Sequence, residues 1–134
     1  MNNIPTYAGG FLFNPNTKEV LLHKRDTKTT INPGKWAFFG GLCNQGESPK
    51  AAFIREMLEE LSVDFQQEEV SFLRSYLNEE LNTYRHVFYI KSVLQKLDFV
   101  LKEGADLDWI PLSEVFSFDL TKKTVDDLRY FIEG

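Results

Sequence analysis

The apolar and polar positions of the N-terminal part of the chain form short runs that are typical of β-strands. The segment "TYAGGFLF", Thr6 to Phe13, predicts a buried strand, and "VLLHKR", Val20 to Arg25, predicts its hairpin partner across the polar turn "NPNTKE". Residues Asn32 to Lys35 suit a type II turn, because proline is second and glycine third. Trp36 to Gly41 then predicts a third, short apolar strand.

The pattern changes to a helical period in "GESPKAAFIREMLEEL", Gly46 to Leu61. Ser48 is expected to cap this helix, and Pro49 suits its first turn. The helix is therefore predicted at about residues 48–61. Its apolar ridge, at i, i+4 and i+8, consists of Phe53, Met57 and Leu61.

The remaining segments predict more strands and then a last helix. The runs "EEVSFLRSYLNE" and "TYRHVFYIKSVL" predict a long antiparallel hairpin that turns near Asn82. The segment "DLDWIPL" predicts a strand that ends at Pro111, and Ser113 is expected to cap one helical turn in "SEVFSF". An amphipathic helix is predicted from Thr124 to Glu133, with Asp127 completing a capping box. Its predicted apolar stripe consists of Val125, Leu128, Phe131 and Ile132.

This order of elements predicts an α/β (α+β) sandwich, with helices packed on a mixed or mostly antiparallel sheet. A doubly wound fold is not expected, because strands and helices do not alternate. The 134 residues predict one domain, 1–134, and 43% hydrophobic residues supply enough apolar material for a core.

Charge and cysteine content exclude several classes of protein. The net charge of −5 argues against a dedicated binder of nucleic-acid duplexes, although a bound cation can still allow a phosphorylated ligand. The one cysteine, Cys43, excludes an intramolecular disulfide framework and fits a cytoplasmic setting. No signal peptide is expected, and no apolar run approaches the ~20 residues that span a bilayer, so no membrane contact is expected.

Three glutamates of the predicted helix lie close together on one side of it. On a helical wheel, Glu56, Glu59 and Glu60 fall within an arc of about 100° that is separate from the apolar ridge. Glu56 and Glu60 repel each other by about 0.2–0.5 kcal/mol, and the helix dipole disfavours anions near a C-terminus. Arg55 alone is placed to offset these charges. A solvated acidic face would leave the repulsion in place, whereas Mg²⁺ or Mn²⁺, which prefer carboxylate ligands, would remove it.

The segment before the helix contains groups that can support a metal site. Gly40 and Gly41 let the backbone come close to a ligand, so a carbonyl there can join the coordination shell. Glu47 precedes the helix, where its charge meets the helix dipole favourably. It can also reach Arg55 and join the loop to the helix.

From Gly41 to Val63 the sequence resembles the Nudix box, G-x5-E-x7-R-E-U-x-E-E-x-G-U, in which U is a bulky aliphatic residue. Ser62 stands where the family has glycine, and a serine in the left-handed conformation common after a helix is expected to cost about 1–2 kcal/mol. Phe39 stands where many members have proline. The segments "YAGGFLF", "VLLHKRD", "PGKWAFFGG" and "EGADLDWIPLSEV" resemble the family as well. The matching box residues are Gly41, Glu47, Arg55, Glu56, Met57, Glu59, Glu60 and Val63.

The resemblance implies a Nudix-type α/β/α sandwich with residues 48–61 as the catalytic helix. It also implies an enzyme that hydrolyses a nucleoside diphosphate linked to another group, with water attacking phosphorus and with Mg²⁺, or Mn²⁺ as a substitute. Arg55 is implied to orient the glutamates through Glu47. The implied metal ligands are Glu56, Glu59, Glu60 and a backbone carbonyl of Gly40 or Gly41.

The resemblance leaves the general base open. It is either a box glutamate, such as Glu59 or Glu56, or Glu103 from a later loop. The alternative interpretation of Glu103 is that it is a surface turn residue. Glu79 and Glu80, in the turn of the predicted hairpin, are weaker candidates.

The implied substrate is a small nucleotide-type diphosphate, bound by a monomer or a homodimer. Arg25 resembles a position that often contacts substrate phosphate, and its guanidinium suits that role. Tyr7, Trp36 and Phe38 can stack on a base or belong to the core. Three further residues are expected to have ordinary structural roles: His23, His86 and Cys43.

Other readings of the same residues remain. A Nudix-like nucleotide-sensing domain would typically lack box glutamates, all of which are present here. Isopentenyl diphosphate isomerase requires a set of metal-binding His and Cys residues that Cys43 alone does not supply. A Ca²⁺ buffer of the EF-hand type would need alternating Asp and Asn residues. Nucleoside triphosphates, nucleotide sugars, ADP-ribose and dinucleoside polyphosphates all remain candidate substrates.

Overall fold

The computed structural model describes residues 4–28, 30, 32–102 and 106–134. The strands are β1 (Thr6–Asn14), β2 (Glu19–Lys24), β3 (Trp36–Ala37), β4 (Phe39–Leu42), β5 (Val70–Asn78), β6 (Thr83–Lys91) and β7 (Asp106–Pro111). The helices are α1 (Pro49–Leu61) and α2 (Lys122–Glu133), and short 3-10 turns span Gln67–Glu69, Lys96–Asp98 and Val115–Ser117. None of the helices in the described ranges combines the length and the apolar character needed to cross a membrane.

The strands form one mixed sheet in the order β3-β2-β1-β6-β5, with β4 paired to β1 and β7 paired to β2. Strands β1 and β6 are parallel, and this register sets Tyr7 beside Arg85. The other pairs are antiparallel. The predicted α+β architecture with a mixed sheet and two helices is confirmed.

Each face of the sheet packs against one helix, because successive side chains of a strand point to opposite faces. In β1, Leu12 lies in the core on the α1 side, with Phe53 and Met57. Its neighbour Phe11 lies in the core on the α2 side, with Leu128. This alternation gives the α/β/α layering.

The two ends of α1 follow from local sequence. The Ser48 hydroxyl accepts a hydrogen bond from the Ala51 N–H at 3.2 Å, and Pro49 occupies the first turn, as predicted. The helix ends at Leu61, and its C-cap Ser62 is left-handed with φ 61° and ψ 33° and donates its N–H to the Leu58 carbonyl at 3.0 Å. The left-handed conformation expected at the helix exit is therefore present with a serine at this position.

The single strand predicted for Trp36 to Gly41 is wrong, because the segment changes partner at Phe38. Strand β3 pairs with β2, whereas β4 pairs with β1. Gly40, with φ 151°, allows β4 to lie close to β1, since a Cβ there would clash with the Ala8 carbonyl oxygen.

The predicted start of the last helix at Thr124 is also wrong, because α2 begins at Lys122 and its N-cap is Thr121. The Thr121 N–H donates to the Trp36 carbonyl at 3.0 Å, which joins the start of α2 to β3. Asp127 is not a capping residue, since its side chain is fully buried and faces the sheet.

Two smaller details differ from the prediction. Ile132 is 47% exposed, so it does not belong to the buried stripe of α2. The turn expected to be capped by Ser113 is a 3-10 turn that follows Glu114, where the Ser117 N–H donates to the Glu114 carbonyl at 3.0 Å.

Candidate active site

Arg55 connects three of the predicted glutamates. Its Nε and Nη2 donate to the two oxygens of Glu47 at 2.9 and 3.0 Å, and its Nη2 also donates to the Leu42 carbonyl at 3.2 Å. Its Nη1 donates to Glu56 at 2.9 Å and to Glu59 at 3.2 Å. The predicted contact between Arg55 and Glu47 is present, and Arg55 is held on both the loop and the helix.

The charge state of Glu47 follows from these contacts. The hydrogen bonds from Arg55, followed by one from the Asn44 N–H at 2.9 Å, lower the pKa of Glu47 below its usual range. Hydrogen bonds to the carboxylates of Glu47, Glu59 and Glu56 raise the pKa of Arg55, and the bond to Glu47 has the largest effect. The pair is ionised throughout the physiological pH range.

The Gly40–Gly41 segment of β4 lies against the carboxylates of Glu56 and Glu60. The Gly40 N–H donates to Oε2 of Glu60, which is buried, at 3.1 Å. A Cβ on Gly41 would lie only 2.7 Å from an oxygen of Glu56. Glu59 lies on the outer side of the cluster, with a side chain that is 51% exposed.

These groups fit a hard divalent cation by their chemistry, since they offer carboxylate and backbone carbonyl oxygens. Within the described ranges, however, no three acidic, His or Cys side chains converge in an arrangement that could hold a metal ion. The carboxylates of Glu56 and Glu59 point toward Arg55 instead, and Glu60 points toward the Gly40 N–H. Protein donors, namely Arg55 and the Gly40 N–H, therefore hold these three carboxylates in the described structure.

A cleft of about 810 Å³ extends from Glu60, the one glutamate of α1 among its described lining residues, to the β5–β6 hairpin. Its glutamate end is formed by Gly40, Gly41 and Glu60. Its other end, called the hairpin end below, is formed by the turn side of β5 and β6 and by the first turn of α2; it includes Asn78, Glu80, Arg85, Thr121, Lys122, Lys123 and Thr124.

The cleft brings together three of the four residues predicted to bind substrate, namely Arg25, Tyr7 and Phe38. The Arg85 guanidinium lies 4.7 Å above the Tyr7 ring, and burial raises the pKa of Tyr7. Phe38 also belongs to the α2-side core.

Trp36 lies outside the residues that line the cleft, and its ring packs edge-on against Phe118 at 5.7 Å. The predicted candidate base Glu103 lies outside the described residues. Glu80 is exposed at the hairpin end and forms ion pairs with Lys122 at 3.3 Å and Lys123 at 3.7 Å.

His23 and Cys43 have packing roles that agree with their expected structural character. The His23 Nε2 donates to the Phe38 carbonyl at 2.9 Å, its ring stacks on Phe39 at 4.9 Å, and burial lowers its pKa to about 4. Cys43 is partly buried, and burial raises the pKa of its thiol. The partly buried His86 pairs its Nδ1 with the Ser75 hydroxyl at 2.6 Å.

Sequence reasoning missed three polar residues at or behind the hairpin end: Asn78, Arg85 and Asp127. All three are buried. A signal was present for two of them. Arg85 lies two residues before the apolar Val87 in β6, and Asp127 lies four residues before Phe131 in α2. Both therefore occupy inward positions where an apolar residue is expected.

Comparison with known proteins identifies a family profile and proteins that are similar to this chain. The family profile described as "NUDIX domain" matches residues 4–133. The m7GpppN-mRNA hydrolase dcap-2 of Caenorhabditis elegans is 29% identical over 140 residues, which cover 99% of this chain. The chain spans 16% of the length of that relative.

Solved structures share the fold at lower identity. A MutT structure, from a study of Aliivibrio salmonicida and Vibrio cholerae MutT, superposes with a TM-score of 0.77 at 19% identity and covers 93% of this chain and 94% of its own. The dihydroneopterin triphosphate pyrophosphohydrolase of E. coli gives 0.76 at 17% identity, with 96% of both chains covered. The NUDIX domain of Shewanella oneidensis NrtR, complexed with ADP ribose, gives 0.74 at 18%, covering 96% of this chain and 85% of its own.

Proposed function

Because the chain belongs to the Nudix hydrolase family, we propose that it hydrolyses the pyrophosphate linkage of a nucleoside diphosphate joined to another group, with water attacking phosphorus. The observation that carries the proposal is the contact of Glu56 and Glu60 with the Gly40–Gly41 backbone at one end of a large cleft. A diphosphate bound at this end of the cleft would contact the carboxylates, the Gly40–Gly41 backbone and the bound cation at the same time.

Mg²⁺, with Mn²⁺ as a substitute, would be held by carboxylates and by a backbone carbonyl of Gly40 or Gly41. When bound, the cation supplies neutralisation of phosphate charge and a lower pKa for the attacking water. The carboxylates assigned to it are Glu56, Glu59 and Glu60.

The remaining roles fall to residues that surround these ligands. Arg55 orients Glu56 and Glu59, and Glu47 fixes Arg55 through its two hydrogen bonds. Glu59 is assigned as general base because its carboxylate is the half-exposed member of the cluster and can reach a water. Glu103 is the alternative base.

Arg25, Tyr7 and Phe38 are assigned to substrate binding because they line the cleft. The names of the relatives mention m7GpppN-mRNA, dihydroneopterin triphosphate and ADP ribose. These molecules differ, so the proposal specifies the diphosphate linkage and leaves the attached group to experiment.

The test is phosphate or pyrophosphate release from nucleoside triphosphates, nucleotide sugars, ADP-ribose and dinucleoside polyphosphates, with Mg²⁺, with Mn²⁺ and with chelator. We expect metal-dependent release from at least one class. Glu59→Gln and Glu60→Gln should keep the fold and reduce turnover by about 10²–10⁴. Glu68→Gln, an exposed glutamate outside the cleft, is the matched control.

Near-normal rates in both variants would contradict the assigned roles. If no substrate of the panel is hydrolysed and the nucleotides still bind, the chain is a nucleotide-sensing domain of the same fold.

A further inference from the structure

Strand β5 is an edge of the sheet, and its outer side has no paired strand among the described residues. The strand runs from Val70 to Asn78 and pairs with β6 alone. An edge strand presents a row of backbone N–H and C=O groups that can pair with another strand. Strand β5 therefore offers a template about 30 Å long for a further strand.

The strands on the opposite side of the sheet are protected against such pairing. In β7, the Asp106 and Asp108 side chains accept hydrogen bonds from the N–H groups that follow them, at 2.8 and 2.9 Å. At β3, the Trp36 N–H donates to the Asp119 carbonyl at 2.8 Å, and the Thr121 N–H donates to the Trp36 carbonyl at 3.0 Å. Among the described residues, no β5 side chain bonds to the backbone of its own strand in this way.

One face of the β5–β6 hairpin exposes apolar side chains beside this edge. Phe72 is 60% exposed, and Leu77 and Tyr84, which lie opposite each other, are 39% and 44% exposed. They share the α1 side of the sheet, because Phe72 and Tyr84 lie on the same face as Phe88, which stacks on Phe53 of α1. Helix α1 packs mainly on β1 and β4 and leaves this part of the hairpin exposed.

The polar side chains within this face are paired with each other. Ser75 and His86 lie opposite each other in the hairpin, with the Ser75 hydroxyl 2.6 Å from Nδ1 of His86. Burial lowers the pKa of His86, so its imidazole is neutral at pH 7. A partner that covers this face therefore does not bury an unpaired charge.

The α2 side of the edge carries charges of both signs. A shallow depression of about 390 Å³ lies there, lined by Arg74, Asp126, Arg129, Tyr130 and Glu133. A two-fold axis sets the same surface of two copies face to face. Arg129 of one copy can then meet a carboxylate of the other, so this surface is complementary to itself in charge.

We propose that the β5 edge pairs antiparallel with β5 of a second copy of this chain, so that one sheet continues through a two-fold symmetric dimer. Because a β-bulge interrupts the first half of the strand, the pairing uses residues 74–78, with the axis near Tyr76 and with Ser75 opposite Leu77 of the second copy. A contact of about 30 Å by 20 Å would bury about 600 Å² on each copy, near the lower limit for a specific interface. The exposed apolar residues of the hairpin face are not among the described residues that line the cleft, so the inference goes beyond the proposed function.

Sedimentation velocity measured over a range of protein concentrations tests the inference. We expect a monomer–dimer equilibrium with a Kd of about 1–100 µM, and a monomer at every concentration would overturn the proposal. Leu77→Lys brings two like charges together near the axis and should raise the Kd at least about tenfold. Leu97→Lys, at an exposed apolar residue outside the hairpin, is the matched control and should keep the wild-type Kd. Equal weakening by the two substitutions would also overturn the proposal.

A mixture of two variants tests the two-fold pairing itself. Leu77→Lys and Leu77→Glu should each dimerise weakly alone, whereas an equimolar mixture should recover the dimer, because the charges near the axis are then opposite. Failure of the mixture to recover the dimer contradicts the pairing near Tyr76. Below the wild-type Kd, the melting temperature of each variant should match that of the wild type, since Leu77 is partly exposed in the monomer.

Hydrogen exchange of the wild type needs no variant and stays decisive if a variant fails to fold. Amides of β5 should exchange more slowly at protein concentrations above the Kd than below it, because dimer formation pairs the outer groups of this strand. Amides of β7 are the internal control and should not change. Exchange in β5 that is independent of concentration would show that this edge does not pair with a second copy.

Discussion

Ser62 is held in a left-handed conformation at the end of α1, with φ 61°. For a residue with a side chain this conformation costs about 1–2 kcal/mol, and glycine relieves it at an entropic cost of about 0.5–1 kcal/mol. We expect Ser62→Gly to raise the free energy of unfolding by about 0.5–1 kcal/mol, measured by urea denaturation. Asn82→Gly is the control, since Asn82 has φ 50° but asparagine tolerates the left-handed region better. A loss of stability in Ser62→Gly would contradict the strain argument.

His23 makes stability depend on pH. Its folded-state pKa of about 4 lies below the ordinary value of 6.5, so the unfolded chain binds more protons between these values and stability is lost as pH falls from 6.5 toward 4. We expect the melting temperature to fall less between pH 7 and pH 5 in His23→Gln, which can keep a donor for the Phe38 carbonyl, than in the wild type. His86→Gln is the control, because it also replaces a histidine by glutamine, but at a position that is only partly buried. Identical pH profiles for wild type and His23→Gln would refute the assignment.

At the residue scale, the glutamate cluster could be predicted because its members lie on one helix. Helical periodicity alone sets Glu56, Glu59 and Glu60 on one side, and the box spacing sets Glu47 within reach of Arg55. The sequence does not predict whether these glutamates bond to Arg55 or to a cation in the folded chain, because that depends on how their side chains are oriented. Asn78 gave no signal, because local periodicity does not reveal the burial of a polar residue at the end of a strand.

At the scale of elements, the contact between α2 and the β5–β6 hairpin depends on a buried ion pair. The Asp127 carboxylate is fully buried and accepts hydrogen bonds from Arg74 and Arg85. Removing the Asp127 charge leaves the buried guanidinium of Arg85 and the partly exposed guanidinium of Arg74 without a counter-charge. Breaking a buried ion pair costs about 3–5 kcal/mol. We expect Asp127→Asn to lose about 3 kcal/mol of unfolding free energy in urea. Asp126→Asn, at the adjacent and less buried position, should lose under about 0.5 kcal/mol; equal effects of the two would exclude the ion pair as the cause.

Most elements could be predicted from periodicity and turn residues, and the exceptions have a common cause. The segment Trp36 to Gly41 reads as one strand, but it pairs first with β2 and then with β1. The start of α2 depends on Thr121, whose N–H is bonded to Trp36. Both depend on partners that are distant in sequence, which local patterns do not contain.

At the scale of the whole molecule, the sheet order also depends on distant partners. The parallel pairing of β1 with β6 joins the first strand to the hairpin and so extends the cleft from Gly40 to Asn78. Hydrophobic periodicity predicts that strands exist, but it does not predict the order in which they pair. The position of Arg85 beside Tyr7 is a consequence of that order.

The charge balance of the whole chain predicts how a cation should affect its stability. The net charge is −5, and three carboxylates are crowded around one guanidinium, so a cation bound by the folded chain removes repulsion that the unfolded chain does not have. Ligand bound only by the folded state stabilises it by about 2.7 kcal/mol at a hundredfold excess over Kd. We expect Mg²⁺ to raise the melting temperature of the wild type and of Glu68→Gln by several degrees, about 2–4 °C per kcal/mol, beyond the effect of KCl at equal ionic strength. In Glu60→Gln the difference between Mg²⁺ and KCl should largely disappear. A shift that is the same in Glu60→Gln and in the wild type would mean that Mg²⁺ acts on the surface charge in general and not at the carboxylates of α1.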